Sequence, residues 1–413
     1  MNLKLTRLHL AGHHHNFQQQ FKSGVSLHCH TQHSKELLDF VPHIAAQLPI
    51  ISIFWERERK RYVERKGQSM DFSSAYWTPP LSAQKVYDLE RQQIAEVGLD
   101  PLVSLTDHDD ISASQKIRAE GADLHAPISM EWTVPFEEGY FHLGVHNLPE
   151  NRADEITRDL LDFTFAKKRG LGFGENRLDE LFAFLNEIPQ VLIVLNHPLW
   201  DIEIVGDERH AQLLEAFIAR YKRWIHAFEI NGFRSWSENK AVLEMADALG
   251  FPVVSGGDRH GCQPNSVINL SLSRTFGEFV EQIKIDKFSQ VALMPHYQQP
   301  LGWRQLQSFA EILKTYPDFA EDNRRHWTDR VHFQPKGSNL RSLSSYSYWR
   351  GGGPAWLKAA TWTLSVLGGP LAKPAFSLLR PRRDVVPREF NQLISIVEND
   401  GLAELSSSSS LSS

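Results

Sequence analysis

Cysteine is nearly absent: Cys29 and Cys262 are the only two thiols in 413 residues. Two cysteines cannot form a disulfide framework, and so low a content predicts a reducing compartment, the cytoplasm. It also argues against a structural zinc site built from thiolates. Long apolar runs are missing as well. No stretch has eighteen uninterrupted apolar residues, so no spanning helix and no stable membrane insertion are expected. Positive charge is not in excess. There are 44 Lys and Arg against 50 Asp and Glu, a formal net charge of -6. This argues against a general field for nucleic acid or anionic membrane, while leaving a local basic patch open. The opening MNLKLTRLHLAG lacks the continuous apolar core of a signal peptide.

What is present is a series of short apolar runs that end in polar clusters: VSLHCH (25–30), DPLVSLTDHDD (100–110), APISMEW (126–132), QVLIVLNHP (190–198), HAFEINGF (226–233) and FPVVSGGDRHG (251–261). Each reads as a buried strand with polar residues at its C-terminal end. Helical patterns lie between several of them, at residues 82–99, 177–188, 210–224 and 238–250. The alternation predicts an α/β fold with a mostly parallel sheet, open or closed. The chain is long enough for a barrel-sized domain with additions.

Residues 40–80 interrupt this rhythm, and ERERKRYVERK (56–66) within them reads as a solvated helix face. After about residue 298 the rhythm fades. The expected division is a domain over 1–298, an extension of unknown role over 299–405 and a disordered Ser-rich tail over 406–413. Residues 344–383, rich in Trp, Gly and Pro, read as a strap packed on the main domain or as a segment lying on a membrane or a partner. No internal repeat is visible.

The polar clusters carry the chemistry. In a strand, residues i and i+2 share a face, so His28 and His30 can hold one ion while Cys29 points away. A lone HxH pair is weak, since two partly exposed histidines would look the same. The other strand ends add Asp107, His108 and Asp109, then Glu131, then His142 and His146, then His197, then Asp258 and His260. In a parallel α/β fold such ends converge on one face. Imidazoles with carboxylates suit zinc, manganese or iron. So many ligands exceed the needs of one ion, and Glu131 could bridge two.

The ordered series LHCH, LTDHD, SMEW, FHLGV, NHP and GGDRH resembles the PHP family, the polymerase and histidinol phosphatase domains, over roughly residues 22 to 275. The resemblance implies a distorted (β/α)7 barrel, here with an insertion after the first strand and a C-terminal extension. It implies two or three divalent metal ions at the strand ends, and metal-dependent hydrolysis of a phosphoester by an activated water. By motif, His28, His30 and Asp258 would hold a first metal and Glu131 would bridge. His142 and His197 would hold a second metal, and His108 and His260 a third. Glu131, Asp258 and His260 are the expected catalytic residues. The family usually has an Asp or His seven or eight residues after the first histidine, where this chain has Lys35 and Glu36. Either Glu36 ligates the third metal, or Lys35 meets a substrate phosphate there. Arg234 and Arg259 are further candidates for phosphate, each also readable as an ordinary salt bridge.

Plainer readings apply elsewhere. His13, His14 and His15 read as a surface turn, His33 as a solvated loop residue and His146 as structural. Asp107 and Asp109 read as acceptors that orient His108. The expected partner is a phosphorylated small molecule or short nucleotide. Two other functions fit the same residues. One is a nuclease acting on oligonucleotide ends, disfavoured by the acidic balance. The other is a PHP-like binding or scaffold module with weak or no catalysis.

Overall fold

The run LIVL has no polar alternate residue, so it can be a strand only where both faces are covered, and all four of its residues are buried. All four residues of VVSG are buried too, Ser255 included, and the nine residues of ISMEWTVPF are buried with a glutamate among them. A computed structural model of the chain describes residues 3–11, 17–38, 49–67, 72, 75–168, 176–202, 204–317, 324–334, 339–369, 372–378 and 385–386. In chain order the strands are β1 (Thr6–Leu10), β2 (Ser23–Ser26), β3 (Glu36–Leu37), β4 (Tyr76–Trp77), β5 (Asp100–Val103), β6 (Ile128–Phe136), β7 (Gly139–Leu148), β8 (Leu192–Leu195), β9 (Ala227–Asn231), β10 (Val253–Gly256), β11 (Val267–Ser271), β12 (Ser289–Leu293), β13 (Val331–Phe333) and β14 (Arg341–Ser342).

They form a mixed α/β architecture with two five-stranded sheets, ordered β1-β12-β11-β2-β5 and β10-β9-β8-β7-β6. Isolated bridges from Cys29 to Arg259 and from His108 to Glu131 link the two sheets. The pairs β1/β12, β2/β5, β8/β9 and β9/β10 are parallel, whereas β2/β11, β11/β12, β6/β7 and β7/β8 are antiparallel. The expectation of a mostly parallel sheet is thus corrected to an evenly mixed one. The reason is local: two residues separate β6 from β7, and Glu137 takes φ 50°. So short a connection makes a hairpin, which is antiparallel by construction.

The helices arise where the pattern places them. Ser82 caps Ala83–Ala95, its hydroxyl accepting from the Lys85 N–H, and Ser235 caps Trp236–Leu249 by accepting from the Glu238 N–H. Gly250 ends the second helix at φ 76°, a left-handed position that glycine adopts without strain. Arg177–Glu187 and Asp207–Tyr221 pack Phe182, Phe217 and Tyr221 into the core around Trp132.

The interruption and the extension share one layer. The charged run lies in the helix Pro49–Lys66, with i,i+3 ion pairs Arg59–Glu56 and Arg61–Glu58. Beyond it, β3 and β4 join β13 and β14 in a third sheet of order β14-β13-β4-β3. Strands from the connection between β2 and β5 therefore pair with strands from the C-terminal extension. The helix Ala355–Leu367 packs on the helix Leu301–Leu313, where Trp303 Nε1–H donates to the Gly369 carbonyl at 3.2 Å. Among the described residues no helix is long and apolar enough to cross a membrane. His13 to His15 and the tail 406–413 lie outside the described residues.

Candidate metal centre

The strand ends bring eight side chains around one buried carboxylate, Glu131, which is fully shielded in the middle of β6. Its two oxygens face different groups. Oε2 lies 3.0 Å from His28 Nε2, 3.4 Å from His30 Nε2 and 3.3 Å from His108 Nε2. Oε1 lies 3.3 Å from His142 Nδ1 and 3.1 Å from His197 Nε2, and it accepts from Asn196 Nδ2 at 3.0 Å. Asp258 Oδ1 lies 3.4 Å from His30 Nε2 and 3.8 Å from His28 Nε2. Glu36 sits at the far side, with Oε2 3.2 Å from His108 Nε2 and Oε1 3.3 Å from His260 Nε2.

These separations fit cation ligation. Donors roughly 2.1 Å from one ion, at right angles or tetrahedrally spread, lie about 3.0–3.4 Å from each other. Four overlapping groups could hold a metal ion: His28–His30–Glu131, His30–Asp258–His260, His30–Glu36–His108 and His108–Glu131–His142. Thiolate does not contribute, since Cys29 is buried with Sγ 3.6 Å from the Ser104 carbonyl. Backbone conformation helps to aim the ligands: His197 and Asp258 take φ of 27° and 51°, a left-handed region that non-glycine residues occupy at some cost.

The electrostatics are those of buried carboxylates seeking positive charge. Burial opposes ionisation of Glu131, Glu36 and Asp258, yet the surrounding imidazoles hold all three well below the ordinary carboxylate range. Burial lowers His30 and His142 to about 4, so both imidazoles stay neutral, the form that ligates. Burial opposes charge on His108 as well, but Glu36 and Glu131 outweigh it and raise its pKa to about 10.

Several residues outside the expected set support the cluster. Glu229, in β9 and 2% exposed, places Oε1 2.6 Å from His28 Nδ1 and accepts from the His197 N–H with Oε2 at 2.9 Å. Asn231 Nδ2–H donates to Asp258 Oδ2 at 3.2 Å. Gly256 makes room for this arrangement, because a Cβ there would lie 2.6 Å from both Glu229 Cδ and His28 Cβ. A carboxylate in the middle of an apolar run, AFEIN, is the signal that could have drawn attention to Glu229.

Other expected residues lie elsewhere. Arg259 is 2% exposed and turns toward the helix Ala83–Ala95, with Nη2 2.6 Å from Glu90 Oε1 and donating to Gln93 Oε1 at 3.1 Å. Its expected phosphate contact is corrected to an internal ion pair. Lys35 is exposed, with its ammonium 6.0 Å from the Tyr76 ring centre, whereas its neighbour Glu36 meets His108 and His260. Asp107 does not orient His108: its oxygens accept from the Thr31 N–H at 2.5 Å and the Thr31 hydroxyl at 2.7 Å. Asp109 accepts from the Thr133 N–H at 2.8 Å. His33 is half-buried rather than solvated, and burial lowers its pKa. His146 is buried with Nδ1 2.9 Å from the Ser104 hydroxyl. Arg234 lies at the rim, its guanidinium 4.0 Å from the centre of the Trp200 ring, which itself sits 5.0 Å from His197.

No family model matches the chain, and no curated protein matches it. Among solved structures, an amidohydrolase from Chromobacterium violaceum, with sulfate bound and no metal, aligns at 14% identity over 49% of this chain and 92% of its own, TM-score 0.31. A candidate metal-dependent phosphoesterase from Bifidobacterium adolescentis aligns at 15% identity over 50% and 91%, TM-score 0.31. PsfC from Pseudomonas syringae aligns at 14% identity over 67% and 93%, TM-score 0.35. At such identities and scores these likenesses carry no chemistry over, and the reading of the cluster rests on its own side chains.

Proposed function

We propose that the chain is a metal-dependent phosphoesterase whose barrel closes through the two isolated bridges, in the ring β2-β5-β6-β7-β8-β9-β10. The observation that carries the reading is the division of Glu131: one oxygen faces His28, His30 and His108, and the other faces His142 and His197. A carboxylate so placed is suited to bridging two cations. His28, His30 and Asp258 would share one with Glu131, and His142 and His197 would share the second. Glu36, His108 and His260 would hold a third.

Zinc, manganese or iron suits this mixture of imidazole and carboxylate. Divalent ions there would supply Lewis acidity and a water acidic enough to attack near neutral pH. The chain's own groups hold the geometry. Glu229 fixes the ring of His28, Asn196 holds Glu131 by Oε1, and Asn231 holds Asp258. Arg234, stacked on Trp200 beside His197 and with Nε 3.7 Å from Glu238 Oε1, would be the cation that meets a non-bridging phosphate oxygen.

The test pairs elemental analysis of gently purified protein with turnover of phosphomonoesters, dinucleotides and short single strands under zinc, manganese and iron. The expected result is two or more ions per chain and hydrolysis of at least one class. Preference for single-stranded ends would move the substrate to nucleic acid. Stoichiometric metal with no hydrolysis of any class would leave a binding module and overturn the enzyme reading.

A further inference from the structure

The charge of the chain is unevenly spread. Residues 331–383 contain eight cations, Lys336, Arg341, Arg350, Lys358, Lys373, Arg380, Arg382 and Arg383, and no Asp or Glu. The rest of the chain holds the remaining 36 Lys and Arg against all 50 Asp and Glu. A basic stretch in an acidic protein implies an anionic partner.

The same stretch carries exposed apolar surface. The helix Ala355–Leu367, AWLKAATWTLSVL, has no buried residue. Its half-buried positions Leu357, Ala360, Thr361 and Leu364 fall at helical spacing and form the side that packs on Leu301–Leu313. The other side is exposed and still apolar: Trp362 is 69% accessible and Val366 46%. The next helix, Lys373–Leu378, ends on Leu378 at 88%. A helix apolar on both sides, with one side outside, has a second surface to cover. Thirteen residues reach about 20 Å, short of the roughly 30 Å hydrocarbon core, so the helix can lie on a bilayer but not cross it.

We propose that Trp362 and Val366, with Lys358 one turn before Trp362 and the exposed Leu378 on the next helix, dock the protein on an anionic lipid bilayer. Lipid suits both features at once: tryptophan and branched side chains enter the headgroup boundary while lysine and arginine meet anionic headgroups. A nucleic acid would use the cations but would leave Val366 and Leu378 without a partner.

The experiment is sedimentation of the full-length protein with vesicles of pure phosphatidylcholine or of phosphatidylcholine mixed with phosphatidylserine, whose negative surface potential attracts basic segments. Binding should be confined largely to the anionic vesicles, fall with added salt, and shift Trp emission to the blue. Trp362→Ser with Val366→Ser should lower the partition coefficient about tenfold, in keeping with loss of buried apolar area. Lys358→Glu should lower it on anionic vesicles alone. The melting temperature of each variant shows that the fold is retained. Equal partition of wild type and the Ser variant overturns the proposal, as does absence of vesicle binding. Tight binding of a single-stranded oligonucleotide without vesicle binding makes nucleic acid the partner and overturns it too. A dimer lost in the Ser variant, without vesicle binding, makes a second copy the partner.

Discussion

The buried cluster around Glu131 and the helix Ala355–Leu367 invert the usual rule in opposite directions. At the strand ends, carboxylates and imidazoles that belong in water are buried: Glu131, His28 and His30 are each at most 1% exposed. On the helix Ala355–Leu367, apolar side chains that belong inside are outside, with Trp362 at 69%. Scattered exposed apolar residues are ordinary, but buried charges without compensation are not. The centre must therefore obtain positive charge to be stable at all, from protons or cations, whereas the helix costs the fold little. Burial at the centre concerns stability and chemistry together, and exposure at the helix concerns partners alone.

The largest expected effect comes from Glu131→Gln. It removes one negative charge from between two sets of imidazoles and leaves a buried amide in its place. Metal content should fall at both positions, and turnover of a responsive phosphoester should drop by about three orders of magnitude or more. Retention of near-wild-type metal and rate would show that the carboxylate does not bridge. Glu229→Gln is a step smaller. It leaves the ligands in place but weakens the hold on the His28 ring, and losing such a partner typically costs about 10–100-fold in metal affinity or activity. Metal titration of the variant checks this, and unchanged affinity would reduce Glu229 to a packing residue.

Glu36→Gln should reduce occupancy at the third position and leave the other ions bound, with Lys35→Ala close to silent. Elemental analysis of the two variants decides it, and the converse pattern, a crippled Lys35→Ala with an intact Glu36→Gln, would leave a two-ion site. Here the sequence left a choice between two adjacent residues that point differently. Glu36 turns toward His108 and His260 while its neighbour faces Tyr76. What was legible follows from period and type. Apolar runs ending in His or Asp mark the strand ends near His28, His197 and Asp258, whereas Glu131 and His142 lie inside β6 and β7, and the expected ligands come together. What was not legible depends on alternation and distance. Arg259, between Asp258 and His260, turns instead to Glu90, because the strand has ended at Gly256 and Asp258 takes a left-handed φ of 51°. Glu229 reads as one polar residue in a strand until its partner, 201 residues away, is known. The third sheet is built from strands as short as two residues, too brief to show a period.

A histidine away from the cluster provides a control of intermediate size. His226 accepts the Ile193 N–H with Nδ1 at 2.9 Å and has Nε2 3.0 Å from Asn186 Oδ1, with no carboxylate beside it in either bond. Burial lowers its pKa from 6.5 to about 3. A depressed imidazole pKa means that the unfolded chain binds the proton more readily. The stabilising contribution is thus complete above pH 6.5 and is lost as pH falls toward 3. In this window the contribution should shrink by up to about 1.4 kcal/mol per pH unit. Denaturant unfolding of wild type and His226→Gln between pH 7 and 5 should show the gap closing as pH drops. A gap that stays constant would mean that the imidazole is not held neutral.

The smallest expected effect sharpens the comparison most. Trp362→Ser removes a large apolar side chain, a change that in a core would cost about 3–5 kcal/mol through lost burial and a cavity. At 69% exposure Trp362 has little burial to lose, and substitutions on open surface usually stay within about 0.5 kcal/mol. Stability in denaturant, metal content and turnover of a soluble phosphoester should all match wild type. Only association should change. A loss of several kcal/mol would show that the indole is a structural anchor, because so large an effect requires contacts that hold the fold together. In that case the exposed face would not be available to a partner, and the contrast between the two regions would reduce to one unusual site, the buried carboxylates at the strand ends.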